Sequence, residues 1–255
     1  MISNFLEILI LSIVQGISEF LPISSSAHLF LVSEIYKFKS QSLLVDVGLH
    51  LGSLLAIIFY FRNELKEIVN NKNLFFLMVL GSLPVIILGA IIYKTGLINY
   101  FRNIEVIAWT TLIFALLLYI ADKFENKKKI ETDLKLKSIL IIGVFQILAL
   151  IPGVSRSGIV ITAGRFLNFS RYDSTKISFY LSIPAIAGAS FLSLKSLVDK
   201  NIDLNLIVLV SILLSFIFSY LTIKYFLIFV KKFTLNTFVI YRIILSVILF
   251  LTIYT

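Results

Sequence analysis

The chain contains no cysteine, which excludes a disulfide framework, a thiolate metal site and a cysteine nucleophile, and leaves the redox compartment unmarked. Charge is scarce as well: Asp, Glu, Lys and Arg make up 15% of the 255 residues, against about 25% in soluble domains. A water-soluble globule is therefore excluded, and disordered and nucleic-acid-binding classes go with it. Hydrophobic residues fill the chain instead, at 59% and a mean hydropathy of +1.00. They recur in long runs, the pattern of repeated membrane spans. The net charge of +9 fits that pattern, because most Lys and Arg sit in short connections, where positive charge sets membrane orientation. Residues 5 to 14 are apolar but carry Glu7 near their start, Lys and Arg are missing ahead of them, and no small-x-small cleavage site comes after. They read as mature protein rather than a signal peptide.

Six segments are long enough to cross a hydrocarbon layer as helices: 45 to 62, 74 to 93, 105 to 121, 177 to 197, 206 to 230 and 237 to 254. Two further apolar regions, 5 to 34 and 139 to 167, are cut in the middle by Pro, Gly and Ser, as FLPISSSAH and LIPGVSRSG. Irregular backbone at membrane depth survives only where protein or a water-filled cavity surrounds it. These regions are predicted to be re-entrant helix–loop–helix pairs, two kinked spanning helices being the other reading. The expected fold is all-α and integral to the membrane, one domain over 1 to 255. Segment 122 to 137 holds six Lys and is placed in the cytoplasm by the positive-inside rule. Residues 62 to 72, Arg165, Arg171, Lys176, Lys231 and Lys232 then fall on the same side, with 198 to 205, the first broken region and both termini outside.

A shift of 131 residues lays Gln15 on Gln146, Ser24 on Ser155 and Ser26 on Ser157. Both copies fall at the interrupted segments, and the three spans between them invert the second copy. This predicts an inverted-topology repeat, about 1 to 121 and 132 to 255, whose site forms where the broken helices meet.

The first motif runs from Gln15 to His28. On a helix, Gln15 and Glu19 share a face and send an amide and a carboxylate into one cavity. An ionisable group at membrane depth is a functional candidate; the alternative is a buried hydrogen bond to the Ser cluster. Ser24, Ser25 and Ser26 resemble the N-cap of a half-helix, whose free N–H groups favour an anion. His28 lies a turn beyond, in range of a hydroxyl–imidazole contact. The second motif, Gly153, Ser155, Arg156, Ser157 and Gly158, combines close backbone approach, another helix N-terminus and a guanidinium suited to phosphate. It lacks the Gly-Lys-Ser/Thr ending of a Walker loop. Arg156 could alternatively be a structural partner of Glu19. Asp46 and His50, four apart, are either ligand or supporting residues or a local hydrogen-bonded pair, and Trp109 and the Tyr residues read as interface or packing groups.

Together these motifs, Gln15-x-x-x-Glu19-Phe-Leu-Pro-x-Ser-Ser-x-x-His28 and Pro152-Gly-x-Ser-Arg-Ser-Gly158, with Tyr241-Arg242 near the end, resemble the bacterial undecaprenyl-diphosphatase family of the bacitracin-resistance type. The resemblance implies an enzyme of the bacterial cell membrane that removes the terminal phosphate of undecaprenyl diphosphate for peptidoglycan synthesis, with a divalent cation such as Mg²⁺ or Ca²⁺. It implies Gln15 and Glu19 as the acidic motif and metal ligands, Ser25 and His28 as catalytic groups, and Arg156 as phosphate binder. Relatives often carry Glu where this chain has Gln15, and an amide oxygen holds a hard cation less strongly than a carboxylate. Glu19 with the substrate's own phosphates is therefore the expected metal environment. Either Ser25 attacks with His28 as base, or His28 and Glu19 activate water. A transporter or lipid flippase is the rival reading, since inverted repeats with broken helices also build transporters.

Overall fold

The structure is a computed structural model that describes residues 2–36, 42–101, 103–198 and 206–254. Among them the chain is helical, with an isolated bridge between Lys128 and Phe169 in place of any strand. The helices are α1 (Ile2–Ser18), α2 (Ser25–Tyr36), α3 (Leu43–Tyr60), α4 (Arg62–Asn70), α5 (Lys72–Thr95), α6 (Ile98–Phe101), α7 (Ile104–Asp122), α8 (Ile130–Asp133), α9 (Leu136–Ile147), α10 (Arg156–Phe166), α11 (Arg171–Val198), α12 (Leu206–Lys232) and α13 (Asn236–Tyr254). Six of them, α3, α5, α7, α11, α12 and α13, are long and apolar enough to cross a membrane. Their outward faces carry the residues a soluble protein would hide. On α12, Leu209, Leu213, Ile217, Leu221, Tyr225 and Ile228 are all exposed, an apolar stripe suited to lipid.

The spans follow the sequence reading with one sizeable difference. Helix α11 begins at Arg171, six residues before the apolar segment expected at 177. Its polar first turn is stabilised by the adjacent Ser170, whose Oγ accepts from the Asp173 amide at 3.0 Å, and from outside, where Asp173 accepts from the Ile130 amide at 3.3 Å and Arg171 Nε donates to Asp122 at 2.6 Å. Hydropathy penalises such residues where tertiary contacts satisfy them. The connection expected at 198 to 205 falls, but for its first residue, outside the described residues.

Small residues bring the spans together. The Cβ that Gly143 lacks would sit 2.6 Å from the carbonyl oxygen of Gly81, so α9 lies directly on α5. Gly48 and Gly52 face Ser211, Ile212 and Ser215 in the same way. There Ser53 bonds Ser219 at 2.9 Å and Ser215 Oγ donates to the Leu49 carbonyl at 2.6 Å. Membrane helices associate through this close approach and these polar contacts, since lipid removes the hydrophobic drive between them. The contacts pair off across the chain: α1 packs on α12 and α9 on α5, α3 on α12 and α11 on α5, with α3 also against α11 and α7 against α13.

The basic connections gather at one end of this bundle. Lys176 forms a 2.6 Å ion pair with Glu64. The amides of Lys127 and Lys128 donate to the Asn168 carbonyl at 3.1 and 3.0 Å. Arg165, fully buried, donates to carbonyls of Asp122, Phe124, Glu125 and Phe169. Asp122 completes the junction by accepting from the Leu235 amide at 3.0 Å. Helix α9 thus leaves this end and α10 returns to it.

Candidate active site

The two interrupted segments meet. Residues 19–24 link α1 to α2, and 148–155 link α9 to α10. Both loops end on a serine with positive φ, 76° at Ser24 and 71° at Ser155. L-residues rarely adopt this conformation, at a cost of about 1–3 kcal/mol. In both it is the residue that opens the following helix. Ser155 (ψ 114°) caps α10, its side chain accepting from the Gly158 amide at 3.1 Å. Gly153, with φ of 89°, turns the chain so tightly that a Cβ would collide with Thr110 and the backbone of Ile107.

Glu19 stands at the junction. Its Oε1 accepts from Arg156 Nη2 at 2.8 Å, and its Oε2 accepts from Gln15 Nε2 at 2.9 Å and Ser25 Oγ at 3.0 Å. Arg156 also donates to the Glu19 and Ser178 carbonyls at 3.3 and 3.2 Å. The pair is almost wholly enclosed, with 13% of the Arg156 and 7% of the Glu19 side chain exposed, so neither charge is left without a partner. Ser157 Oγ ties the loops together by donating to the Leu21 carbonyl at 2.6 Å, and it bonds Ser155 Oγ at 3.2 Å. A cavity of about 250 Å³ opens beside this cluster, lined in part by Glu19, Ser24, Ser25, His50, Ser155 and Arg156. The Ser26 side chain lies outside the described residues.

His28 is placed otherwise than its spacing suggested. Its Nδ1 is 2.7 Å from the Ser24 carbonyl oxygen, so it carries the proton, and its Nε2 accepts from the Tyr241 hydroxyl at 2.5 Å. Ser25 is bonded to Glu19 instead. His50 is the other imidazole: its Nδ1 lies 2.9 Å from Gln15 Nε2 and 3.7 Å from Glu19. Gln15 therefore joins His50 to Glu19, a link between residues 35 apart that no local spacing reveals.

Sequence reasoning assigned no role to the residues that hold the loops. Arg242, fully buried, donates to carbonyls of both loops, Pro22 at 3.3 Å and Gly153 at 3.0 Å, and to Thr111 at 3.3 Å. Thr110 Oγ1 donates to the Pro152 carbonyl at 2.6 Å. An Arg in an apolar span was the available signal for the first.

Among the described residues no three His, Cys, Asp or Glu side chains form a metal cluster. A lighter site does fit. Gln15 Oε1 is buried beside Glu19 without a hydrogen-bond partner, and an oxygen in that state suits a hard cation or water. One carboxylate and one amide oxygen are too few for an all-protein cage, so phosphate oxygens would have to complete the shell.

The family model for the bacitracin resistance protein BacA matches residues 8–248. The chain belongs to this family. Among its curated relatives are proteins named undecaprenyl-diphosphatase. The one from Pelagibacter ubique is 61% identical over 255 residues, covering the whole of both chains. Those from Elusimicrobium minutum and Campylobacter curvus are 43% and 40% identical, covering 95% and 96% of this chain and 96% and 98% of theirs. With six helices of spanning length, this BacA family member is a multi-pass membrane protein.

Proposed function

We propose that the protein hydrolyses undecaprenyl diphosphate to undecaprenyl phosphate and inorganic phosphate, recycling the lipid carrier of peptidoglycan synthesis. The observation that carries the reading is the Glu19–Arg156 pair, set where two helix starts converge on one cavity. The names of the relatives favour hydrolysis over transport. Arg156 and the α2 and α10 N-termini supply the positive field that phosphoryl transfer needs. Ser25 opens α2 with its hydroxyl donating to Glu19. Its oxygen attacks the terminal phosphorus while Glu19 takes the proton, the bridging P–O bond breaks, and undecaprenyl phosphate departs. Water then hydrolyses the phosphoserine, releasing phosphate and restoring the hydroxyl. Arg156, freed of part of its pairing as Glu19 gains the proton, follows the charge onto the phosphoryl oxygens. Ser24 and Ser155 line the phosphate site, Gly153, Ser157 and Gly158 shape the second loop beside it, and His28, held by Tyr241, fixes the first turn of α2. Glu19 and Gln15 Oε1 would hold a Mg²⁺ or Ca²⁺ carried in by the diphosphate, which would neutralise phosphate charge.

The gathering of basic connections at one end supports a cytoplasmic location for that end, and an inner-membrane protein built of inverted halves 1 to 121 and 132 to 255, with broken pairs entering from opposite faces and substrate arriving from the outer one. The test is phosphate release from undecaprenyl diphosphate by purified protein in detergent, with and without chelator. Wild type should release phosphate and form a phosphoserine on brief exposure to labelled substrate; Ser25→Ala should do neither. Full turnover by Ser25→Ala would replace serine attack with direct attack of water.

A further inference from the structure

A second cavity, of about 430 Å³, lies between α5 and α11. Among the described residues no charged side chain lines it. It adjoins the catalytic cavity, since Val85, Leu150, Ala185 and Ala189 line both. Each wall carries a proline at that junction, Pro84 in α5 and Pro184 in α11. A proline withholds an amide from the helix ladder and is the usual cause of a bend.

The walls are also smaller than helix packing requires. At Gly143 a Cβ would meet backbone at 2.6 Å, so the glycine is explained by the neighbouring helix. At Gly188 the nearest atom would be Ile86 Cγ1 at 3.8 Å, ordinary contact, and at Gly89 it would be the flexible end of Leu150 at 3.3 Å. Neither is kept small by a helix crossing. With Ala90 and Ala189 they leave space that a well-packed interface would have filled.

We infer that this groove holds the head-proximal isoprene units of the polyprenyl substrate, the diphosphate resting at Glu19 and Arg156 and the rest of the tail passing into lipid. The inference rests on the proposed hydrolysis and goes further by giving the hydrocarbon a place. A diphosphate in the catalytic cavity must send its tail out through an apolar opening, and this groove adjoins it directly. Its volume lies near the lower end of ligand pockets, about 300–1,000 Å³, which suits a few isoprene units.

The test enlarges the wall stepwise with Gly188→Ala and Gly188→Leu, and from the opposite wall with Ala90→Leu. The ratio of KM for undecaprenyl diphosphate to KM for the five-carbon isopentenyl diphosphate should rise roughly tenfold in the leucine variants, the effect of misfit in an apolar pocket, and stay near the wild-type value in Gly188→Ala. Equilibrium retention of labelled undecaprenyl phosphate should weaken by a similar factor. An unchanged ratio and unchanged retention in both leucine variants would overturn the groove. Absence of phosphate release from wild type, with retention still weakened by the leucines, would overturn hydrolysis and leave the groove standing.

Discussion

Glu19 and Arg156 come from opposite halves of the chain, 137 residues apart, and their side chains meet at 2.8 Å. The carboxylate is held from the other side by Gln15 and Ser25, so the ion pair also orients the hydroxyl that opens α2. Removing one partner of an enclosed pair strands the other, at a cost of about 3–5 kcal/mol. Arg156→Met should therefore lower the melting temperature in detergent more than the double variant Glu19→Gln/Arg156→Met, because the second change removes the stranded charge. Arg156→Lys keeps the charge without the planar fork and should reduce kcat/KM for undecaprenyl diphosphate by ~100-fold or more. Equal melting of the single and double variants would show that the pair is solvated.

Arg242 reaches three carbonyls, two of them in the interrupted loops. In Arg242→Met these oxygens lose their donor, each worth roughly 1–3 kcal/mol when buried. The variant should melt at lower temperature and lose phosphate release. Arg242→Lys, whose ammonium reaches fewer of these acceptors, should fall between it and wild type. Melting curves alongside turnover check this, and wild-type turnover in Arg242→Met would separate the clamp from the chemistry.

Asp122 gathers Arg171, Arg165 and the Leu235 amide far from the cavity. Asp122→Ala should destabilise the fold by several kcal/mol, about 3–5, by uncovering two guanidiniums. Asp122→Asn should do less, since its amide oxygen still accepts from Leu235. The folded fraction of both should keep the wild-type KM, measured below the melting transition. A raised KM would mean that this junction positions the substrate site.

The spans were readable because length and hydropathy depend on single residues, and the loops because Pro22, Pro152 and the serines interrupt otherwise continuous apolar runs. Glu19 and Arg156 stood out since charges at membrane depth need a reason. What escaped depends on distance in sequence. His50 with Gln15 and His28 with Tyr241 are 35 and 213 residues apart, and only tertiary packing brings them together. His28 was expected near Ser25 from helix spacing; its ring is instead held by the Ser24 carbonyl and Tyr241. The start of α11 was missed for the same reason, its polar turn being satisfied by the distant Asp122 and Ile130 as well as by the adjacent Ser170.

The positive-φ serines at 24 and 155 show one backbone device used twice, with different cargo each time. The first loop brings the carboxylate and hydroxyl, the second the guanidinium. A pseudo-dimer made from two copies of the first half would set two carboxylates against each other, and one made from two second halves would set two guanidiniums. Neither would bring a carboxylate to a guanidinium, so the charge pair at the junction depends on the two loops being different.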